Sequence, residues 1–172
     1  MSDKQDIGGA TDPWASSMYY AASVINCDQQ RAWDLLLDYR TWNPGLAAAQ
    51  VEHIAGRRGE EGEIVAIKAV SASGESLPEF CAETVSLVAP RHLVWYVYSR
   101  GGDSFRNFLH FSLSPSDADV QFHIYSYARD RLSGEALVLQ RRASEAGTQL
   151  LATAFKDFCE AKEGLKSAGQ PV

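Results

Sequence analysis

The sequence predicts an α+β fold in which a curved, seven-stranded antiparallel sheet wraps around one long C-terminal helix. Three observations predict it. Between residues 48 and 129, strand-like runs follow one another with turn signals between them and no helical stretch, the pattern of a meander. From about Ser133 to Lys162 there is no proline, and apolar side chains recur at helical spacing. One further strand and two short helical segments precede the meander. A sheet that covers a single helix must curve around it, and its natural twist supplies that curvature.

Residues 17–25, SMYYAASVI, alternate and are rich in β formers, so they open the fold as a strand. Asn26, with Gln29 three positions on, has the spacing of a capping box. Trp33, Leu36 and Leu37 then recur at helical spacing, which predicts a helix over about 27–38. A second helical turn follows Asp38-Tyr39-Arg40 and stops at Trp42-Asn43-Pro44-Gly45, where proline and glycine both punctuate. Strands are expected over 48–54, 63–70, 78–88, 92–99, 104–113 and 119–129. The intervening turns are marked by Gly56 to Gly62, Ser73-Gly74, Ala89-Pro90, Gly101-Gly102 and Ser114 to Asp117. The last helix has apolar positions at 136, 139, 143, 146, 150, 154 and 158. Ser133 is its expected N-cap, Glu135 supports the positive end of its dipole, and Gly164 is its expected C-cap. Residues 1–16 and 166–172 are expected as tails around one domain at 17–165.

Composition narrows the partners. The formal net charge is −6, and no basic cluster exceeds Arg57-Arg58 or Arg141-Arg142, so nucleic acid is not an expected partner. No apolar run approaches the roughly 18 residues of a membrane helix. The opening residues lack the apolar core of a signal peptide, so a cytoplasmic location is expected. Cys27, Cys81 and Cys159 show no CxxC spacing, and His53, His92, His110 and His123 show no HxH or HExxH spacing. No metal and no cofactor is therefore expected. There is no GxSxG, and no serine or cysteine stands beside a recognisable base, so the sequence assigns no catalytic residue.

In order along the chain, Ser23-Val24-Ile25-Asn26, Arg31-Ala32-Trp33-Asp34-Leu35-Leu36, Asp38-Tyr39, Trp42-Asn43-Pro44, the Gly56…Gly62-Glu63 turn and Ala89-Pro90-Arg91-His92-Leu93-Val94-Trp95 form a combination. Over residues 17–163 it resembles the START-like, or SRPBCC, superfamily of helix-grip proteins, in particular the bacterial polyketide cyclase/dehydrase and lipid transport branch. The resemblance implies a hydrophobic cavity between the sheet and the C-terminal helix. It also implies ligands such as lipids, polyketides or aromatic metabolites. No catalytic motif is common to that superfamily, so it carries over no catalytic residue.

Strand alternation separates two faces. The more apolar sets place Leu93, Trp95, Val97, Asn107, Leu109, Phe111, Phe122, Ile124 and Ser126 inside. For strand 78–88 both sets are mixed, and Phe80/Ala82 and Cys81/Val85 remain alternatives, with Glu83 a candidate inward carboxylate. From the last helix, Leu139, Ala143, Ala146, Leu150, Ala154 and Phe158 are expected to face the sheet, with Arg142 near the cavity end. The cavity is expected beside the first half of that helix, where small residues such as Gly147 leave volume unfilled. The expected ligand-binding set is Trp42, Trp95, Val97, Asn107, Leu109, Phe122, Ile124, Leu139, Ala143 and Leu150, with Trp42 at the rim. The opposite face gathers Tyr96, Tyr98, Phe108, His110, His123, Tyr125 and Tyr127, and such aromatic surface suggests a homodimer through the convex sheet.

The leading functional expectation is binding of a small hydrophobic molecule in that cavity. A cyclase- or dehydratase-type enzyme and a chaperone-activator-like interaction module are the alternatives. An ionisable group inside the cavity would favour the enzyme.

Overall fold

The computed structural model describes residues 15–47, 49–68, 79–101, 105–117, 119–131 and 134–168. The chain runs β1 (Ala15–Ile25), α1 (Gln29–Leu37), α2 (Tyr39–Trp42), β2 (Gln50–Ala55), β3 (Ile64–Lys68), β4 (Phe80–Val88), β5 (His92–Ser99), β6 (Phe105–Ser116), β7 (Asp119–Asp130) and α3 (Gly134–Ala168). The sheet has seven strands in the order β1-β7-β6-β5-β4-β3-β2, and every pairing is antiparallel. β2 to β7 form the expected meander. β1 and β2 are the two edges, so α1 and α2 carry the chain from one edge of the sheet to the other.

Several boundaries move for local reasons. Asp28, not Asn26, caps α1, because its carboxylate accepts the amide of Arg31 at 2.8 Å. Gln29 serves elsewhere: its side-chain amide donates to the carbonyls of Pro90 and Leu113, tying α1 to the β4–β5 turn and to β6. β6 extends through Pro115 to Ser116, because Asp117 takes a left-handed φ of 52° and tightens the hairpin. α3 does not stop at Gly164 but runs on to Ala168. An interior glycine costs a helix only about 1 kcal/mol, and helix-compatible residues follow it. The expected cap at Ser133, the turn at Ser73-Gly74 and residue Trp14 lie outside the described residues.

The ambiguous strand resolves through a bulge. β4 pairs in regular register with β5 up to Thr84↔Trp95, then shifts before Ser86↔Val94. Phe80, Ala82 and Thr84 lie opposite Ser99, Val97 and Trp95 on the inner face, and after the bulge Leu87 lies opposite Leu93. Val85 is the extra residue and is exposed. Glu83 lies opposite Tyr96 and so points outward. The bulge explains why a strict period of two left both faces mixed.

The inner faces of β5, β6 and β7 follow the sequence expectation. Leu93, Trp95, Asn107, Phe111, Phe122, Ile124 and Ser126 are all buried, and Val97 and Leu109 are half-buried. The face of α3 follows it only in part: Phe158 packs half-buried against the core and Ala154 is half-buried, but the rest of the expected face turns away. The residues that turn inward are Ser144, Thr148, Leu151, Ala152, Phe155 and Cys159, while Leu139, Ala143, Ala146 and Leu150 are exposed. The true stripe is rotated by about one residue, or roughly 100° of helix. It is hard to read because serine, glycine and threonine occupy its first half, whereas leucines and alanines decorate the solvent side.

α3 packs chiefly on β1 and β7 through its C-terminal half. There Phe155 meets Phe122 at 4.5 Å and Trp42 at 4.9 Å between ring centroids, and Trp42 in turn meets Phe111. The Trp42 indole N–H donates to the carbonyl of Leu36 at 3.1 Å, so its one polar atom is satisfied. Cys27, Cys81 and Cys159 are buried free thiols. Side chains of α3 also occupy the open edge of β1: Gln149 donates to the carbonyl of Tyr20, and Lys156 to that of Val24.

This geometry separates the two faces of α3 in a stability measurement. Phe155→Ala is expected to lower unfolding stability by about 3–5 kcal/mol in urea titration. Leu139→Ala, on the exposed face, is expected to stay within about 0.5 kcal/mol. Equal losses for the two would contradict the packing described.

Candidate functional site

The loop between β2 and β3 turns on Gly56, whose φ is +78° and whose absent Cβ would stand 2.2 Å from the carbonyl oxygen of Gly62. Only glycine fits such an approach. The loop is then sewn to β4: Gly62 N–H donates to the carbonyl of Thr84 at 2.8 Å, and Thr84 N–H donates to that of Glu63 at 2.9 Å. This puts Glu63 on the same face as Val65 and Ile67, beneath α2. Glu63 as a whole residue is 9% exposed, and its Oε2 accepts the Gly59 amide at 2.7 Å.

Around Glu63 lies a cavity of about 230 Å³ between α2, this loop and strands β4 and β5. Its apolar wall is Leu37, Leu87, Leu93 and Trp95, and its polar side is Tyr39, Arg40, Arg58, Glu63 and Thr84. A narrow extension of about 20 Å³ continues along Val65, Ile67 and Ala82 to Leu46. Tyr39 stands edge-on to Trp95, with ring centroids 4.9 Å apart at 82°. Burial pushes the Tyr39 phenol above its ordinary pKa, and a hydrogen bond with Arg40 opposes that shift. The phenol is thus held as a neutral O–H beside a buried carboxylate.

A second cavity, of about 320 Å³, opens between the sheet and the first half of α3. Asn107, Leu109 and Ser126 form its floor, Ser144, Gly147, Thr148, Leu150 and Leu151 its helical wall, and Asn43 to Leu46 its rim. Asn107 and Ser126 hydrogen-bond to each other at 3.0 Å, which leaves further amide positions of Asn107 for another partner. Thr148 is already satisfied by the carbonyl of Ser144 at 2.8 Å.

The structure distributes the sequence-derived set as follows. Trp95 lines the first cavity, and Asn107, Leu109 and Leu150 line the second. Val97 lies in the sheet floor between Ala82 and Asn107. Phe122 and Ile124 are fully buried in the core behind the cavities. Trp42 is not at a rim: it is 4% exposed and is locked in the core by Phe155 and Phe111. Leu139, Ala143 and Arg142 lie on the exposed side of α3, away from both cavities, as the rotated stripe requires. Glu63, Tyr39, Arg40, Arg58 and Leu46 are the residues missed. For Glu63 a signal existed, since period-two spacing from Val65 and Ile67 places it on the inner face. Among the described residues no group of three or more His, Cys, Asp or Glu side chains stands so as to hold a metal ion. No described helix is long and apolar enough to cross a membrane.

No protein-family model matches the sequence, and no curated protein matches it. Solved structures do match. The Zhui aromatase/cyclase from Streptomyces sp. R1128 superposes with a TM-score of 0.69 at 15% identity, covering 91% of this chain and 100% of that one. The allergen structure Ara h 8.0201 superposes with a TM-score of 0.64 at 9% identity, covering 84% of this chain and 98% of that one. The fold is the START-like helix grip. The di-domain aromatase/cyclase StfQ from the steffimycin biosynthetic pathway matches at 0.67 and 15% identity, over 87% of this chain and 52% of its own length. At these identities the likeness is one of fold. The grip here is tight at one end of the helix and open at the other, and the second cavity lies at the open end.

The Tyr39 environment gives a signed pH dependence. A phenol whose folded pKa is raised contributes stability that is present below its unfolded value near 10 and is lost as pH rises through the higher folded value. The stability difference between the wild type and Tyr39→Phe is therefore expected to be flat below about pH 10 and to shift against the wild type above it. Urea titrations at pH 8 to 11 measure it, and a flat difference throughout would contradict the burial of the phenol.

Proposed function

We propose that this protein binds a small, largely apolar molecule on the concave face of its sheet. The observation that carries the reading is the first cavity, where an aromatic and aliphatic wall faces a short row of hydrogen-bonding groups. That composition, apolar with a few oriented polar anchors, is the usual one for small-molecule sites. Trp95 supplies a face on which a planar ring can lie, and Glu63 accepts a donor from the ligand. The aromatase/cyclase and Ara h 8 neighbours support the reading at the level of fold. Native mass spectrometry of the purified protein tests it, with a retained small molecule as the expected result. Trp95→Ala is expected to weaken binding at least tenfold, about 1.4 kcal/mol. Absence of any retained molecule, together with no binding of hydrophobic dyes, would overturn the reading.

One observation favours a second reading, a cyclase- or dehydratase-type enzyme acting on a polyketide-like substrate in the same cavity. Glu63 is a buried acidic residue that lines the cavity across from its apolar wall, and a carboxylate so placed is the kind of group that proton abstraction beside a carbonyl needs. The neutral Tyr39 phenol stands near enough to the same cavity to donate to the oxygen that gains charge. Glu63→Gln separates the two readings, because it is expected to keep ligand affinity within a few-fold while abolishing any turnover.

We also propose that the convex face joins two copies of the chain. Met18, Tyr20, Phe108, Tyr125 and Tyr127 are exposed there in register across β1, β7 and β6. Tyr96 stacks on Tyr98 and Phe108, and Tyr20 packs on Tyr125, so the aromatic surface is continuous. Interface cores are enriched in these side chains. Sedimentation equilibrium is expected to show a dimer that Phe108→Arg converts to monomer. A monomer throughout the micromolar range would refute this.

A further inference from the structure

The two cavities are not independent. Among the described residues Leu46 is the one side chain that lines both the narrow extension of the first cavity and the second cavity. Beneath it the sheet floor is unbroken. Thr84 and Trp95, in the Glu63 compartment, are register partners, and the same row continues through Leu109 to Ser126, in the second compartment. The adjacent row runs Ala82, Val97, Asn107. Neighbouring strands lie only about 4.8 Å apart, so the two compartments stand over adjacent strands of one floor. The side chain they share above that floor is Leu46.

It hangs from a turn that a side-chain change leaves intact. Gly45 N–H donates to the Asn43 side chain at 2.9 Å, Leu46 N–H donates to the Asn43 carbonyl at 3.0 Å, and Ala49 N–H to the Leu46 carbonyl at 3.1 Å. The backbone is thus held by its own hydrogen bonds, and the half-exposed Leu46 side chain is not part of the core cluster. The volumes point the same way. At about 230 Å³ the first compartment falls below the roughly 300–1,000 Å³ of ligand sites, and the second, at about 320 Å³, only reaches that range.

We infer that Leu46 is a specificity-determining gate that divides one elongated ligand groove into two compartments. The inference rests on the ligand-binding reading above and refines its substrate class. The groove suits an extended, mostly apolar molecule with hydrogen-bonding groups at both ends. One end meets Glu63, Tyr39, Arg40 and Arg58, so it carries a donor or an anionic oxygen. The other meets the Asn107–Ser126 pair, which accepts or donates to a carbonyl or hydroxyl. A compact single- or double-ring molecule occupies one compartment and ignores the gate, whereas a long one must displace Leu46.

Two fluorescent titrations on the full chain test this, with 2-naphthol as the compact probe and 11-(dansylamino)undecanoic acid as the extended one. Leu46→Ala is expected to tighten the extended probe at least fivefold and to leave 2-naphthol within twofold. Leu46→Trp is expected to weaken the extended probe at least tenfold, again with 2-naphthol unchanged. An unchanged ratio of the two dissociation constants in both variants would overturn the gate while leaving the ligand-binding reading in place. Failure of the wild type and both variants to bind either probe would overturn both. Because the two substitutions push in opposite directions, a loss of folded protein in one, read by circular dichroism, leaves the other decisive.

Discussion

Trp42 pressed against Phe155 is the contact on which the rest of the molecule depends. It joins α2 to the C-terminal half of α3, and through Phe122 and Phe111 it joins both to the inner faces of β7 and β6. The aromatic chain continues from Phe111 to Trp95 and from Trp95 to Tyr39. One end of the chain is therefore core and the other end is the wall of the first cavity. Each of these rings contributes roughly 1.5–3 kcal/mol through burial alone, and the edge-on and tilted ring geometries add to it. A site built on such a chain is held rigid from behind, so a ligand need not order the wall it meets.

The same contact explains why the sheet and the helix part company. Phe155, Ala152 and Cys159 are fully or nearly fully buried and fix the C-terminal half of α3 on β1 and β7. Toward the N-terminus the inward positions become Thr148, Gly147 and Ser144, which are too small to reach the sheet. Gln149 and Lys156 anchor the helix along the edge of β1 by bonding its free carbonyls. The helix thus follows the edge of the sheet more than its centre, and the strands from β3 to β5 are left to be covered by α2, the turn at Asn43 to Leu46 and the β2–β3 loop. The open floor is a consequence of where α3 is anchored.

The two faces of the sheet carry different chemistry. The concave face combines Trp95, Leu93 and Leu109 with the buried Glu63 and a reciprocal amide–hydroxyl pair. The convex face carries tyrosines, Phe108 and histidines in cross-strand stacks. His110, half-buried among them with His92 beside it, has its pKa pushed down, first by burial and then by the neighbouring imidazole. An alternating sequence can supply both faces at once because a strand shows successive side chains to opposite sides.

The sequence alone determined the order of elements, the meander, and the inner face of β5, β6 and β7. These follow from local periodicity and from glycine and proline punctuation, which act over a few residues and need no knowledge of the partner. It also determined the resemblance to helix-grip proteins, because that rests on the order of such local signals. Tertiary structure decided which face of α3 is buried, since Leu139 and Leu150 look no less apolar than Leu151 until Phe155 is seated against Trp42. Tertiary structure also decided the face of β4, where a bulge at Val85 breaks the period, and the gathering of Glu63, Tyr39, Arg58 and Leu46 around one floor. Those residues come from a helix, a turn and a loop between residues 39 and 63, but the floor they cover is made by β4 and β5. Their place over it depends on how the edges of the sheet are bridged, and that is a property of the packed molecule.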